Sequence, residues 1–273
     1  MKNIAFGQYY PTESFVHSMD SRAKILLTIA YIVAVFLCAS YFAYALIVFF
    51  LAACIITAKI KIRVILRSIR PILYLVIFTA ILNLFFYREG TPYFSWWVFK
   101  ITDVAVVFTI QMALRLILLI MGTSVLTLTT TPIALTDGIE SLLKPLKYIK
   151  FPVHELALIM SIALRFIPTL SDETDRIIRA QKARGADFES GNIFKRAKAL
   201  LPILIPLLIS AFRRADELSD AMDSRCYSGA KGRTKMKQLK FSYRDLIGLL
   251  FVAVIFLMIT IDKYVLLSII VPF

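Results

Sequence analysis

A run of about 20 apolar residues leaves a chain few possible folds, because only a bilayer or a very large core can solvate it. The longest such segment here, residues 102–130, holds Asp103 and Arg115 as its only charged residues. Others lie near 25–39, 42–58 and 71–87, and a last one starts at Tyr243. No ten-residue alternation of the barrel type accompanies them, so the spans are helical. The hydrophobic share of 59% and the mean hydropathy of +0.76 fall outside the range of soluble domains. The expected fold is an all-α integral membrane protein with about five transmembrane helices and a cytoplasmic helical domain. Residues 1–130 hold an N-terminal arm and helices 1–4, residues 131–242 the cytoplasmic or interfacial domain, and residues 243–273 the last transmembrane helix.

Charge assigns the sides of the bilayer. The arm ends in Asp20-Ser21-Arg22-Ala23-Lys24, where Asp20 or Ser21 caps the first helix and Arg22 and Lys24 snorkel to headgroups. It lacks the charged-then-apolar layout of a cleaved signal peptide, so the start is expected to be retained. The first two spans follow with almost no loop, as a helical hairpin. Lys59, Lys61, Arg63, Arg67 and Arg70 then form a basic loop before Pro71 opens the third span. Tyr93, Trp96 and Trp97 mark the opposite interface. With the N-terminus inside, residues 1–24, 59–70 and 131–244 carry +1, +5 and +8, the whole of the chain's net +14. That asymmetry is the positive-inside pattern.

Residues 131–242 are richer in charge, with apolar runs too short to cross a bilayer comfortably. From Leu156 to Leu170 the apolar positions follow helical spacing, and Asp172–Arg176 and Asp175–Arg179 are set at i,i+4 to support the same helix in water. The plan repeats in a run from Ala199 to Phe212, bent by Pro202 and Pro206, with a charged continuation. Each half ends in a related motif: Ala183-Arg184-Gly185, then, 41 residues on, Ser224-Arg225-Cys226. An arginine between small residues stands clear for a partner's surface to close around its guanidinium. A single such end reads as an ordinary helix C-terminus; the repetition points to docking. The basic linker 229–240 suits lipid headgroups.

Other chemistries find no footing. No phosphate-binding Gly-x-x-x-x-Gly-Lys loop occurs, so the chain is not expected to bind ATP. His17 and His154 lack partners at metal or triad spacing, and Cys38, Cys54 and Cys226 form no disulfide framework. The basic residues are not interleaved with exposed aromatics as nucleic-acid binding requires. Arg115, one turn from Gln111, is expected to snorkel or to pair with Asp245; otherwise it would line the pathway of a stand-alone channel or permease.

These residues together resemble the transmembrane T component of energy-coupling-factor (ECF) transporters. The likeness rests on Ala183-Arg184-Gly185 continuing as Ala186-Asp187-Phe188, on Ser224-Arg225-Cys226-Tyr227, on Asp20-Ser21-Arg22-Ala23-Lys24, and on Pro152-Val153-His154-Glu155-Leu156 and Ser161-Ile162-Ala163-Leu164-Arg165-Phe166-Ile167-Pro168. Ser21 replaces a frequent proline, and Ser-Arg-Cys replaces a second Ala-Arg-Gly. The resemblance implies a non-catalytic coupling subunit of an ABC-type importer in the cell membrane, with residues 131–242 as its coupling domain. Arg184 and Arg225 would seat in two ABC-type ATPase subunits, which bind ATP and Mg, while a membrane-embedded S component binds the substrate. This chain would hold no cofactor. The extended first motif looks most like T components shared among several vitamin S components, with a dedicated cobalt, nickel or biotin importer as the alternative.

Overall fold

The computed structural model describes residues 9–38, 40–86, 92–96, 99–186, 188, 192–229 and 241–270. Among them are α1 (Ser21–Leu37), α2 (Tyr41–Ala58), α3 (Ile62–Phe86), α4 (Asp103–Thr129), α5 (Pro132–Leu143), a 3-10 turn (Lys144–Ile149), α6 (Val153–Ala183), α7 (Ile193–Asp223) and α8 (Tyr243–Ile270). A short antiparallel hairpin, β1 (Pro92–Trp96) and β2 (Phe99–Thr102), joins α3 to α4, with Trp96 opposite Phe99. The helical membrane class holds, and the loop read as an aromatic interface adds this one hairpin. Trp97, the aromatic side chains of residues 93–97 and the basic linker residues 231–240 lie outside the description.

Five helices are long and apolar enough to cross a membrane: α2, α3, α4, α6 and α8. Four match spans read from the sequence; the fifth is α6 rather than α1. With 17 residues, α1 is about 25 Å long, short of a hydrocarbon core of about 30 Å. Conversely, the apolar run at 156–170 is not an isolated short stretch but part of one 31-residue helix.

Local signals explain most boundaries. Asp20 caps α1, its carboxylate accepting the Arg22 amide at 3.0 Å, and Ser21 is already helical. Ser40 caps α2 in the same way. At its other end Lys59 turns left-handed (φ 53°), returning its amide to the carbonyls of Ile55 and Ile56. From Ile62 the backbone is helical again, so the expected basic loop 59–70 is mostly the opening of α3, which runs through Pro71. Arg63, Arg67 and Arg70 stand at i, i+4 and i+7, all exposed, a helical spacing that the cationic composition masked.

The chain divides into two compact units, Gly7–Ile139 with Leu239–Phe273, and Glu140–Gln238. In the first, α1 and α2 are consecutive yet each packs chiefly on α4 and α8, not as a closed hairpin, while α3 lies on α4. Its core includes Val35, Ile47, Ile65, Leu128 and Ile259. Tyr31 crosses α4 at Gly122, where a Cβ would fall 2.1 Å from its ring, and donates its hydroxyl to the Leu118 carbonyl at 2.8 Å. Phe36, Phe49, Phe78 and Leu250 remain exposed, a surface that lipid or a membrane partner solvates.

Polar groups close the same unit. Lys24 is buried, not snorkelling: its ammonium donates to the carbonyls of His17 (3.1 Å) and Thr129 (2.9 Å), tying the arm to the end of α4. Asp245 is fully buried and does not pair with Arg115. One of its oxygens accepts the Ser242 amide (2.7 Å) at the start of α8, and the other accepts the Asp20 amide (2.8 Å) at the cap of α1. Arg115 instead donates to the carbonyl of Cys38, the C-cap of α1, at 3.0 Å. A cation there satisfies a carbonyl the helix leaves orphaned and complements its negative end.

Candidate functional site

Both arginine motifs sit on helix ends of one design. In α6 the chain stops because Gly185 turns left-handed (φ +85°). Its amide bonds to the Lys182 carbonyl at 3.0 Å, and the Ala186 amide reaches back to Gln181 at 3.0 Å. That pair of bonds is a Schellman motif, in which the residue after the cap must adopt a positive φ. In α7 Cys226 takes the same place with φ +55°. Its amide bonds to Asp223 at 2.9 Å, and the Tyr227 amide to Met222 at 3.1 Å. Every donor and acceptor is displaced by the same 41 residues.

The consequence for the arginines is direct. Arg184 and Arg225 each occupy the last position before the left-handed turn, and each is exposed. The amide of Arg184 bonds to Gln181 and that of Arg225 to Met222, both at 3.1 Å, while neither guanidinium has a partner in the described chain. Ala183, Gly185, Ser224 and Cys226 are exposed beside them, and the space around Gly185 is open to 4 Å. The serine hydroxyl is turned inward, donating to the Ala221 carbonyl at 3.1 Å. Cysteine in the glycine position costs about 1 kcal/mol of backbone strain, yet the turn is kept. No hydrogen bond or ion pair joins the three residues of one motif to those of the other, so the structure presents two separate sites on two helices.

The helices behind these ends pack together within the unit Glu140–Gln238. The expected pairs Asp172–Arg176 and Asp175–Arg179 do not close within the 4.0 Å of an ion pair. Glu173 of α6 instead meets Arg214 of α7, its Oε2 accepting from Nη2 at 2.7 Å. That contact was invisible to a reading confined to one helix at a time. His154 meets Glu140 at 3.3 Å, and no group of three metal-ligating side chains occurs among the described residues. Further back, Leu156, Ile159, Met160 and Ile167 on α6, and Leu201, Leu204, Leu208 and Phe212 on α7, expose apolar surface.

The sequence is similar to known proteins over most of its length. The family described as "CbiQ: Cobalt transport protein" matches residues 12–236. The chain is 52% identical over 247 residues to the energy-coupling factor transporter transmembrane protein EcfT of Ruminiclostridium cellulolyticum, covering 90% of this chain and 92% of that protein. It is 53% identical over 249 residues to the EcfT of Clostridium kluyveri, covering 91% and 92%. For the EcfT of Acidaminococcus fermentans the figures are 49% over 259 residues, 94% and 96%.

Proposed function

We propose how this chain, which belongs to the CbiQ/EcfT family of energy-coupling factor transporter transmembrane proteins, works in such a transporter. It is the non-catalytic coupling subunit. Arg184 and Arg225 anchor one ABC-type ATPase subunit each, and α6 and α7 carry the closing motion of those subunits to a membrane-embedded S component. The observation that carries this reading is the pair of identical helix ends, each offering an exposed guanidinium without an internal partner. Such a group fits an acidic groove, where a planar fork accepts bidentate carboxylate contacts.

The remaining parts fit the same role. The exposed apolar faces of α6 and α7 give the S component a platform. The charge asymmetry along the sequence supports a cytoplasmic N-terminus and a cytoplasmic domain over 131–242. ATP and Mg belong to the ATPase partners, and the S component determines the cargo, for which we favour vitamins delivered through several interchangeable S components. The family description as a cobalt transport protein favours a second reading, a dedicated metal importer. Recovery of several different S components with this chain selects the first reading, and of a single one the second. A stand-alone channel or permease is disfavoured because Arg115, its best pathway residue, is engaged at the end of α1.

The test is copurification in mild detergent together with substrate uptake. Arg184→Ala with Arg225→Ala removes both anchors; each buried charge pair so broken costs about 2–5 kcal/mol of docking. The ATPases are expected to dissociate while the chain stays inserted. Lysine at both positions rescues poorly. Full ATPase recovery and normal uptake in the double alanine variant would defeat the docking reading.

A further inference from the structure

The Glu173–Arg214 ion pair has a position that follows from the internal repeat. Glu173 precedes Arg184 by 11 residues, and Arg214 precedes Arg225 by 11. The two partners are therefore equivalent under the 41-residue offset that relates the helix ends. A two-fold repeat brings equivalent positions together only on its axis, and Glu173 and Arg214 are equivalent positions that meet. Eleven residues are about three helical turns, or roughly 16 Å, so each arginine stands at the end of an arm of equal length. With 3.6 residues per turn, each pairing residue also lies almost in line with its own arginine along the helix.

The arms must diverge beyond that point. If α6 and α7 ran parallel through the pair, the end of α6 and the start of α7 would lie about 46 Å apart at 1.5 Å per residue. The nine-residue connection 184–192 reaches at most about 33 Å when fully extended. Parallel packing is therefore excluded, and because α6 and α7 meet over only a short part of their length they pack as crossing helices, with the pair in the contact and one arginine at the far end of each. Its side chains are 24% and 28% exposed, so replacements there can turn toward solvent without disrupting a core. It is also the one ion pair between α6 and α7 among the described residues.

We propose that Glu173 and Arg214 are positioning residues, a clasp that fixes the opening angle of the two arms so that displacement at one docking arginine is delivered to the other. The proposal rests on the docking reading for its functional half, whereas its geometric half concerns this chain alone. A charge pair at a crossing resists changes of angle more than sliding packing does, because separating the charges breaks a hydrogen-bonded contact of 2.7 Å whose donor and acceptor are both ionised.

The experiment uses the full chain with its ATPase and S-component partners and, in parallel, the chain alone in detergent. Spin labels go on Arg179→Cys and Asp220→Cys, exposed positions related by the same offset, in a Cys54→Ala, Cys226→Ser background used for the distances alone, while uptake and copurification are read with all native cysteines kept. Three further variants are compared: Glu173→Arg, Arg214→Glu, and both together. Each single reversal faces like charges and is expected to move or broaden the label–label distance distribution and to reduce uptake by on the order of tenfold. Copurified ATPase should stay close to the parent level because both arginines are intact. The double swap restores the opposite charges and should restore distance and uptake. A distribution unchanged in both single reversals overturns the clasp, as does a folded double swap that restores neither readout. Altered distances with normal uptake overturn its role in coupling. Failure of the docking reading is separate: it would appear as retained ATPases in the double alanine variant at 184 and 225, whatever the labels report.

Discussion

Lys24 and Arg184 are both cations at a helix end, and the chain treats them in opposite ways. Lys24 is buried and spends its protons on the carbonyls of His17 and Thr129. Arg184, like Arg225, is exposed with nothing to bond to. The first closes the membrane unit from within; the others are held outward by a turn that leaves them no neighbour. A cation whose partners lie in its own chain reads as architecture, and one presented without partners reads as a contact waiting for another molecule. The same contrast separates Asp245, which bonds two helix starts, from Asp172 on α6 and Asp220 on α7, both exposed.

The largest effect expected from breaking this contrast is on the buried side. Asp245→Ala strips the acceptor from two amides, each worth about 1.5–3 kcal/mol as a bond to a charged group. The variant should lose several degrees of melting temperature in detergent, or fail to accumulate. Lys24→Met leaves the buried Thr129 carbonyl unpaired at about 1–3 kcal/mol and the part-buried His17 carbonyl without its donor, and should follow the same course. An unchanged melting temperature in either would show that the network is not what holds the unit together. On the exposed side, Arg184→Ala with Arg225→Ala should shift the stability of the isolated chain by no more than about 0.5 kcal/mol, while abolishing ATPase recovery. A large loss of stability there would erase the distinction.

Smaller effects sharpen it. Gly185→Ala forces a Cβ into a positive φ and should destabilise the end of α6 by about 1 kcal/mol, whereas Cys226→Gly should relieve a similar strain at the end of α7. Amide exchange at Ala186 and Tyr227, the donors that close each turn, measures both, and opposite signs are expected. The smallest effect concerns His17 in the arm. Burial, outweighing its bond to the Tyr10 carbonyl, lowers its pKa below the ordinary 6.5. The folded arm therefore binds fewer protons than the unfolded chain. Its contribution is complete above pH 6.5 and declines as pH falls through the folded pKa, and the slope should vanish in His17→Gln.

What was legible in the sequence followed what periodicity and local chemistry can carry. The spans α2, α4 and α8, the Asp20 cap and the two helix ends all depend on residues within a few turns of one another. The start of α3 was misread because five cations and a proline suggest a loop, although Arg63, Arg67 and Arg70 already had the spacing of one helical face. The full length of α6, 31 residues, was underrated since its charged half dilutes its apolar one. Lys24 was expected in the headgroups because nothing local announces carbonyls at 17 and 129. Arg115 and Asp245 looked like complementary charges in apolar segments, but each is spent on a backbone group at a different helix end. Glu173 carried no signal in the sequence, since the local i,i+4 pairs drew on Asp172 and Asp175; only packing against α7 shows that its partner is Arg214. For Arg184 and Arg225 the repeat itself was the signal, and the structure adds that even the hydrogen bonds of their helix ends repeat.

The reach of Asp245 has a consequence for how the protein is made. Its bond to the Asp20 amide spans 225 residues, so the cap of the first helix is completed by the opening turn of the last. At translation speeds of about 5–20 residues per second, the early helices must wait roughly 10–45 s for that carboxylate. In that interval α6 and α7 emerge and acquire their turns before the membrane unit can close. A ribosome that stops short of residue 245 leaves an unfinished bundle in which the Asp20 amide lacks its carboxylate acceptor.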